Sequence, residues 1–262
     1  MSAIILRNEI VHYEVLGRGK PLIFLHGWVG SWRYWIPAMQ SASVAFRTYA
    51  LDLWGFGDTA KKPENYAIDR QLALLDEFIQ ELGIGKIALV GHGLGAVLAW
   101  LYASHNPSGV DRAVGISLPQ NLDSINPRLR SASPPELADW LLGRSPNTEP
   151  VRAEAPKTDY IAIQTSLANL QEFDLDHLSL HLPIPCLWMH GQNDPAVQAP
   201  DPQRIASLPE QAHYISFEQS GHYPMLDETN KFNRLLNDML ILDSGVSPRQ
   251  LQLKEEWKRR VR

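Results

Sequence analysis

The stretch "KIALVGHGLGAVLAWLYASHN", residues 86–106, limits the fold more than any other part of this 262-residue chain. It opens as an apolar run of strand length and continues as an apolar pattern of helix length, with only "GHGLG" between them. No loop fits into that link. A strand must therefore run straight into a helix, through a turn so tight that its flanks, Gly91 and Gly95, have to be small. A strand that feeds a helix packed back upon it belongs to a mainly parallel sheet covered on both faces.

The same alternation runs through the first half of the chain. "AIILR" and "IVHYEVL" read as an opening antiparallel pair, followed by the strand "PLIFLHG", a helix over 32–40 and the strand "RTYALDL". "YAIDRQLALLDEFIQELG" places Leu72, Leu75, Phe78, Ile79 and Leu82 on one helical face, with Gly83 as its stop. "VDRAVGISL" closes the series. The rhythm breaks at Pro119, and residues 119–182 carry Pro134, Pro135, Pro146, Pro150 and Pro156 among helical stretches near 136–142 and 158–173. The sheet pattern then resumes with "PCLWMHG" and "HYISFEQSGH", and "MLDETNKFNRLLNDMLIL" is expected to form one closing helix. The reading is an α/β core built from 1–118 and 183–243, a helical cap inserted at 119–182, and a tail at 244–262.

Composition excludes several classes. A net charge of −5 gives no general pull toward nucleic acid. No run approaches the 18 or so apolar residues of a membrane span, and "MSAIILRNEIVHYEVLG" lacks the basic start and long apolar stretch of a signal peptide. Cys186 is the only cysteine and sits in the apolar run "CLWMH", so it reads as a core residue in a protein expected in the cytoplasm. No Cys/His cluster of metal type occurs, and neither metal nor cofactor is expected. The tail "SPRQLQLKEEWKRRVR" carries Arg249, Lys254, Lys258, Arg259, Arg260 and Arg262 against Glu255 and Glu256. It reads first as a solvated helix packed through Leu251, Leu253 and Trp257, and second as a dock for an acidic partner.

Five short stretches fall at strand ends: "FLHGWVGSW", "LDLWGFGDT", "LVGHGLG", "HGQNDP" and "QSGHYP". The C-terminal ends of parallel strands converge, which is where open α/β sheets place their sites. In these motifs and their order, over about residues 4–242, the chain resembles the α/β-hydrolase superfamily, in particular its small cap-bearing esterase and C–C hydrolase branch. The resemblance implies a mostly parallel sheet of roughly eight strands with a helical cap. It implies an elbow of the form Gly-x-nucleophile-x-Gly with Gly91 and Gly95 as flanks, Asp194 as the acid and His222 as the base. The backbone N–H groups of Trp28 and Leu94 would form an oxyanion hole. Trp28, Trp54, Phe56, Trp140 and Tyr223 are expected to wall a pocket for an apolar or aromatic small molecule.

The departure from the pattern is that position 93 is glycine. Shifting the frame to make His92 the nucleophile would put Val90 and Leu94 where small residues are needed. Ser31, Thr59 and Ser117 fall near strand ends, but none is on the elbow. His26, His92, Asp52 and Thr59 read as loop-bracing residues rather than chemical ones. An acyl-enzyme route needs an attacking side chain, and loss of a triad serine costs on the order of 10⁶ in kcat. Glycine tolerates strained backbone angles, so the fold should survive, and Gly93→Ser alone is expected to restore activity. The competing expectations are a base-only enzyme using His222 and Asp194, as in lyases and cofactor-free oxygenases of this superfamily, or a ligand-binding or scaffold protein.

Overall fold

A computed structural model describes residues 2–143, 146–243 and 246–251. Eight strands form one sheet: β1 (Ser2–Leu6), β2 (Glu9–Leu16), β3 (Lys20–Leu25), β4 (Phe46–Leu51), β5 (Ile87–His92), β6 (Val110–Ile116), β7 (Cys186–Gly191) and β8 (Ala212–Phe217). Their order is β1-β2-β4-β3-β5-β6-β7-β8. Only the β1–β2 and β2–β4 pairings are antiparallel; the rest of the sheet is parallel. Every residue of β5 and β7 is buried, as expected of strands covered on both faces. The covering helices are α1 (Ile36–Ala42), α2 (Ile68–Glu81), α3 (Leu94–His105) and, at the end of the fold, Thr229–Ile241; the first packs on the last, and α2 packs on α3.

On α2 the buried stripe differs from the expected one. Ile68, Gln71, Leu74, Leu75, Phe78 and Ile79 face inward, while Leu72 and Leu82 are only partly buried. The unexpected member is Gln71, whose side chain accepts from Trp54 N (3.0 Å) and donates to Trp54 O (2.9 Å). A carboxamide that satisfies both backbone groups of a buried residue offsets its own desolvation, so a polar residue takes a core position.

Between β6 and β7 the α-helices among the described residues are α4 (Arg128–Ser131), α5 (Pro134–Leu141), α6 (Glu149–Glu154), α7 (Tyr160–Asn169) and α8 (Leu175–His181). Sequence periodicity finds α5 and α7 and passes over the other three. The prolines explain part of this: Pro134, Pro135 and Pro150 sit in the first turns of α5 and α6, where a missing N–H costs nothing. They start helices rather than break them. A short α9 (Pro202–Ala206) was likewise not expected.

The single closing helix of the sequence reading is in fact two, α10 (Pro224–Asp227) and α11 (Thr229–Ile241), broken at Glu228 with φ −123° and ψ 52°. The break turns two carboxylates back toward the loop before α10: Asp227 accepts from Gly221 N at 2.9 Å, and Glu228 from Ser220 Oγ at 2.7 Å. That loop carries His222.

Among the described residues, no helix is long and apolar enough to cross a membrane. Cys186 is fully buried, and burial pushes its thiol up to about 12. At the C-terminal end, Arg249 donates to Leu208 O (2.5 Å) and Leu251 is buried, so this part of the tail packs on the fold. Leu253, Trp257 and the basic residues from Lys254 onward lie outside the described residues.

Candidate active site

β5 ends at His92 and α3 begins at Leu94, which leaves Gly93 alone to turn the chain, at φ +51° and ψ −112°. Few side-chain-bearing residues adopt such angles without strain. The flanks are glycine for a different reason. A Cβ on Gly91 would lie 2.1 Å from Gly95 O, and one on Gly95 would lie 2.2 Å from Leu25 O. At Gly93 itself a Cβ would meet no backbone so closely, but it would lie 3.1 Å from Cε3 and Cζ3 of Trp28. The elbow is complete in its backbone, and the indole of Trp28 occupies the space beside it.

Asp194, on the loop after β7, and His222, after β8, form a buried pair. His222 Nδ1 stands 3.0 and 2.9 Å from the two carboxylate oxygens, and Asp194 Oδ1 also accepts from Ala196 N (2.8 Å) and Val197 N (3.1 Å). Burial alone would raise the Asp194 carboxyl. His222 outweighs it, with help from His190 and Ser117, and holds the group far below the usual carboxylate range. With Nδ1 donating to a carboxylate, the imidazole keeps its lone pair on Nε2. Removing Asp194 would leave the imidazole N–H and two buried amides without an acceptor, at about 1–3 kcal/mol each. Asp194→Ala should therefore lower the thermal midpoint by roughly 10 °C at pH 7, given about 2–4 °C per kcal/mol for a chain of this size. The carboxylate is held below its unfolded value, so its contribution is complete above about pH 4 and fades as pH falls further. Thermal scans of both proteins at pH 7 and pH 3 should show the gap narrowing in acid.

A second network holds His222 from behind. His92 Nε2 donates to His222 O (2.9 Å), the Tyr34 hydroxyl donates to His92 Nδ1 (3.0 Å), and Gly27 N donates to the same hydroxyl (2.7 Å). This arrangement needs one donor and one acceptor nitrogen on His92, hence a neutral ring. Burial, reinforced by His222, holds its pKa well below the ordinary histidine value. His26 is neutral for the same first reason, with Nδ1 donating to Gly27 O (2.8 Å) and Nε2 accepting from Leu53 N (3.0 Å). His190, also lowered by burial, has Nε2 4.0 Å from Asp194 Oδ2.

The histidine shifts set a pH window. A histidine lowered in the fold takes up a proton more readily when unfolded, so its stabilising effect is lost as pH falls below about 6.5. His26, His92, His190 and His213 act in this sense. His12 opposes them, because Asp52, Asp58 and Glu14 together overcome burial and raise it. The thermal midpoint should fall between pH 7 and pH 5; a midpoint that rises would mean that His12 dominates.

Bracing contacts account for the other polar residues singled out in the sequence. Asp52 accepts from Trp32 N (2.8 Å), Asp58 N (3.0 Å) and His12 Nδ1 (3.0 Å), while Thr59 Oγ1 donates to Asp52 O (2.9 Å). His12, Asp52 and Asp58 are the one group of possible metal ligands among the described residues. Those bonds already engage Asp52, and Asp58 pairs with Lys157 Nζ at 2.9 Å.

Of the residues read as oxyanion donors, neither the Trp28 nor the Leu94 amide donates to another protein group among the described hydrogen bonds. Three neighbouring amides are engaged: Gly27 N on Tyr34, Gly93 N on Ile116 O, and Gly95 N on His26 O. Trp28, Trp54, Phe56 and Tyr223 are at most 1% exposed, so in this state they offer almost no surface to a ligand. The Tyr223 hydroxyl donates to Val29 O (2.8 Å), and the Phe56 ring packs edge-on to His26. Trp140 is only partly buried, lies under the Arg128 guanidinium at 5.0 Å, and meets no elbow residue among the described ring contacts. Sequence reasoning weighed Ser117 only as a nucleophile and missed its contact with Asp194. It also missed Tyr34, His190 and Ser166, whose Oγ accepts from Trp28 Nε1 at 3.1 Å. Ser117 has a left-handed φ of +49°, which no sequence signal announces.

The family model for the α/β hydrolase fold matches residues 20–141, which contain both the elbow and the loop after β3. This chain has the α/β-hydrolase fold. The esterase from Exiguobacterium antarcticum superposes with a TM-score of 0.79 at 19% identity, covering 90% of this chain and 98% of that one. The enol-lactonase from Burkholderia xenovorans gives 0.77 at 18% identity, over 92% and 100%. At such identities the likeness is one of fold alone. Among sequence relatives of this hydrolase-fold chain, the candidate carbamate hydrolase RutD of Yersinia enterocolitica is 26% identical, over 94% of this chain and 97% of its own. Epoxide hydrolase 4 of Mus musculus is 35% identical over 41% of this chain, which spans 31% of that protein's length.

Proposed function

We propose that this hydrolase-fold chain is a serine-hydrolase framework directed at a small ester or related carbonyl compound, with its acyl-enzyme step removed at Gly93. The observation that carries the reading is the company Gly93 keeps: a buried Asp194–His222 pair and two unspent backbone amides, at Trp28 and Leu94, around an elbow with no side chain. A pair left without chemical use would be free to drift toward apolar residues, because burying a carboxylate is costly. In the serine-bearing pattern His222 Nε2 would take the nucleophile's proton, Asp194 would support the imidazolium, and the two amides would hold the developing oxyanion. Here the nucleophile itself is missing, because position 93 is glycine. The helical segment at 119–182 is taken as a cap over the site, and the cytoplasm as its setting. Names among the relatives and fold neighbours (esterase, enol-lactonase, carbamate hydrolase) share attack at a carbonyl, which supports the substrate class without choosing a member.

A second reading rests on the same pair. His222, oriented by Asp194 and free of any nucleophile, could abstract a proton from a bound substrate directly. The two readings part on one experiment. A serine installed at 93 should make the protein a His222-dependent esterase. A folded Gly93→Ser variant no faster than its own His222→Ala derivative would sink the acyl-transfer framework and favour base-only chemistry.

A further inference from the structure

From the exposed face of α8 we infer that His177 and His181 form a chelating site for one borderline divalent cation, zinc foremost. The site is independent of the chemistry at Gly93. The two histidines stand about one turn apart on the last helix before the chain returns to β7.

Side chains four residues apart share a helix face and meet. The inward face of α8 is set by Leu175 and Ser179, both buried, and Arg204 fastens it by donating to Ser179 Oγ (2.5 Å) and Asp176 O (2.6 Å). His177 and His181 follow two residues later, roughly half-way round a helix of 3.6 residues per turn, and both are exposed. Their rings stack with centroids 4.0 Å apart and planes within 16°. An ion that bonds each ring at about 2.0–2.1 Å can bridge rings held that close. His181 Nδ1 donates to His177 O at 2.8 Å, which leaves Nε2 as the lone-pair nitrogen and holds the ring on a backbone carbonyl. That is the support metal-binding histidines ordinarily have. None of the described hydrogen bonds engages His181 Nε2 or either ring nitrogen of His177. Glu172, Asp174 and Asp176 precede the pair, and among the described ion pairs only Asp176 meets a cation, Arg204 at 2.9 Å. The surplus negative charge, with the C-terminal end of α8 at His181, favours a cation here.

Ligand chemistry selects the ion. Imidazole suits zinc, copper and nickel, whereas magnesium and calcium want oxygen. Two protein ligands leave the other positions to water, so the site is open and exchangeable rather than a closed structural centre. Of the nine histidines, only His105, His177 and His181 are exposed. The group at His12, Asp52 and Asp58 has one more member, but internal bonds already engage it. The sequence shows no metal cluster because two histidines four apart converge only in a helix, and α8 is one that periodicity passes over.

Calorimetric titration of the untagged full chain with Zn²⁺ near neutral pH tests the site, with Mg²⁺ as the contrast. One zinc site and no magnesium site are expected. His177→Ala and His181→Ala should each weaken zinc by at least the roughly 10–100-fold that loss of a supporting partner costs a metal site. His105→Ala should leave the affinity unchanged. Both ligands are exposed, so the variants should keep the parent's thermal midpoint without metal. Zinc should raise the midpoint of the parent and not of the variants, because an ion bound only to the folded state adds stability. Unchanged zinc affinity in His177→Ala and His181→Ala would overturn the site. So would loss of zinc in a folded His12→Ala or His222→Ala chain with the pair intact, or equal uptake of Mg²⁺, which would place the ion on carboxylates.

Discussion

A Gly93→Ser variant should hydrolyse p-nitrophenyl acetate at least three decades faster than the protein as it stands. Adding His222→Ala should return the rate to that of the starting protein. Loss of the serine from an intact triad costs on the order of 10⁶ in kcat, which is about 8 kcal/mol of barrier. That figure is the ceiling on what one hydroxyl can return. The gain should fall short of it, because a side chain at 93 must adopt φ near +51°, a strained region for any residue but glycine. What makes several decades reachable is that the partners already stand in place: the 2.9 Å contact between His222 Nδ1 and Asp194, and the rear support of His222 O by His92. Preorganised groups need no rearrangement when charge develops, which is the source of most of their effect. Initial rates in excess ester measure the gain, and intact mass identifies the acetyl-enzyme. A gain under tenfold in a folded Gly93→Ser variant would mean that the pocket does not present a carbonyl to the elbow.

The parts of this site that could be read from sequence are those that local geometry forces. Gly91 and Gly95 are legible because a strand entering a helix within five residues allows no Cβ at either place. Asp194 and His222 are legible because their motifs follow the elbow in a fixed order, 28 residues apart. The supporting residues are not legible, since each acts across long stretches of chain. Tyr34 reaches His92 over 58 residues and Trp28 reaches Ser166 over 138, with no periodicity to mark either. The buried Gln71 misleads the helix pattern for the same reason, its partners being the backbone of Trp54. At position 93 the sequence shows a missing nucleophile, and packing adds that a Cβ there would lie 3.1 Å from the Trp28 ring.

Gly95→Ala should abolish the fold, while Gly93→Ala should leave a folded protein of lower midpoint, although both add one methyl group within the same turn. At Gly95 the new Cβ would lie 2.2 Å from Leu25 O and 2.7 Å from His26 O. These are backbone atoms of the central strand β3 and the loop after it, and His26 O accepts Gly95 N at 3.1 Å. No rotamer change relieves a backbone clash in an interior packed as densely as a crystal, so α3 would have to lift from the sheet. Its buried apolar surface, from Leu94 through Ala103, would lift with it. A loss above about 4–5 kcal/mol marks this kind of failure, and it rivals the whole stability of many domains. At Gly93 the obstacle is a ring edge at 3.1 Å together with the positive φ, of order 1–3 kcal/mol by strain alone. Soluble yield and circular dichroism would separate the two outcomes. A well-folded Gly95→Ala protein would show that α3 does not approach β3 as closely as 2.2 Å implies, and with it would fall the tight elbow on which the whole site is built.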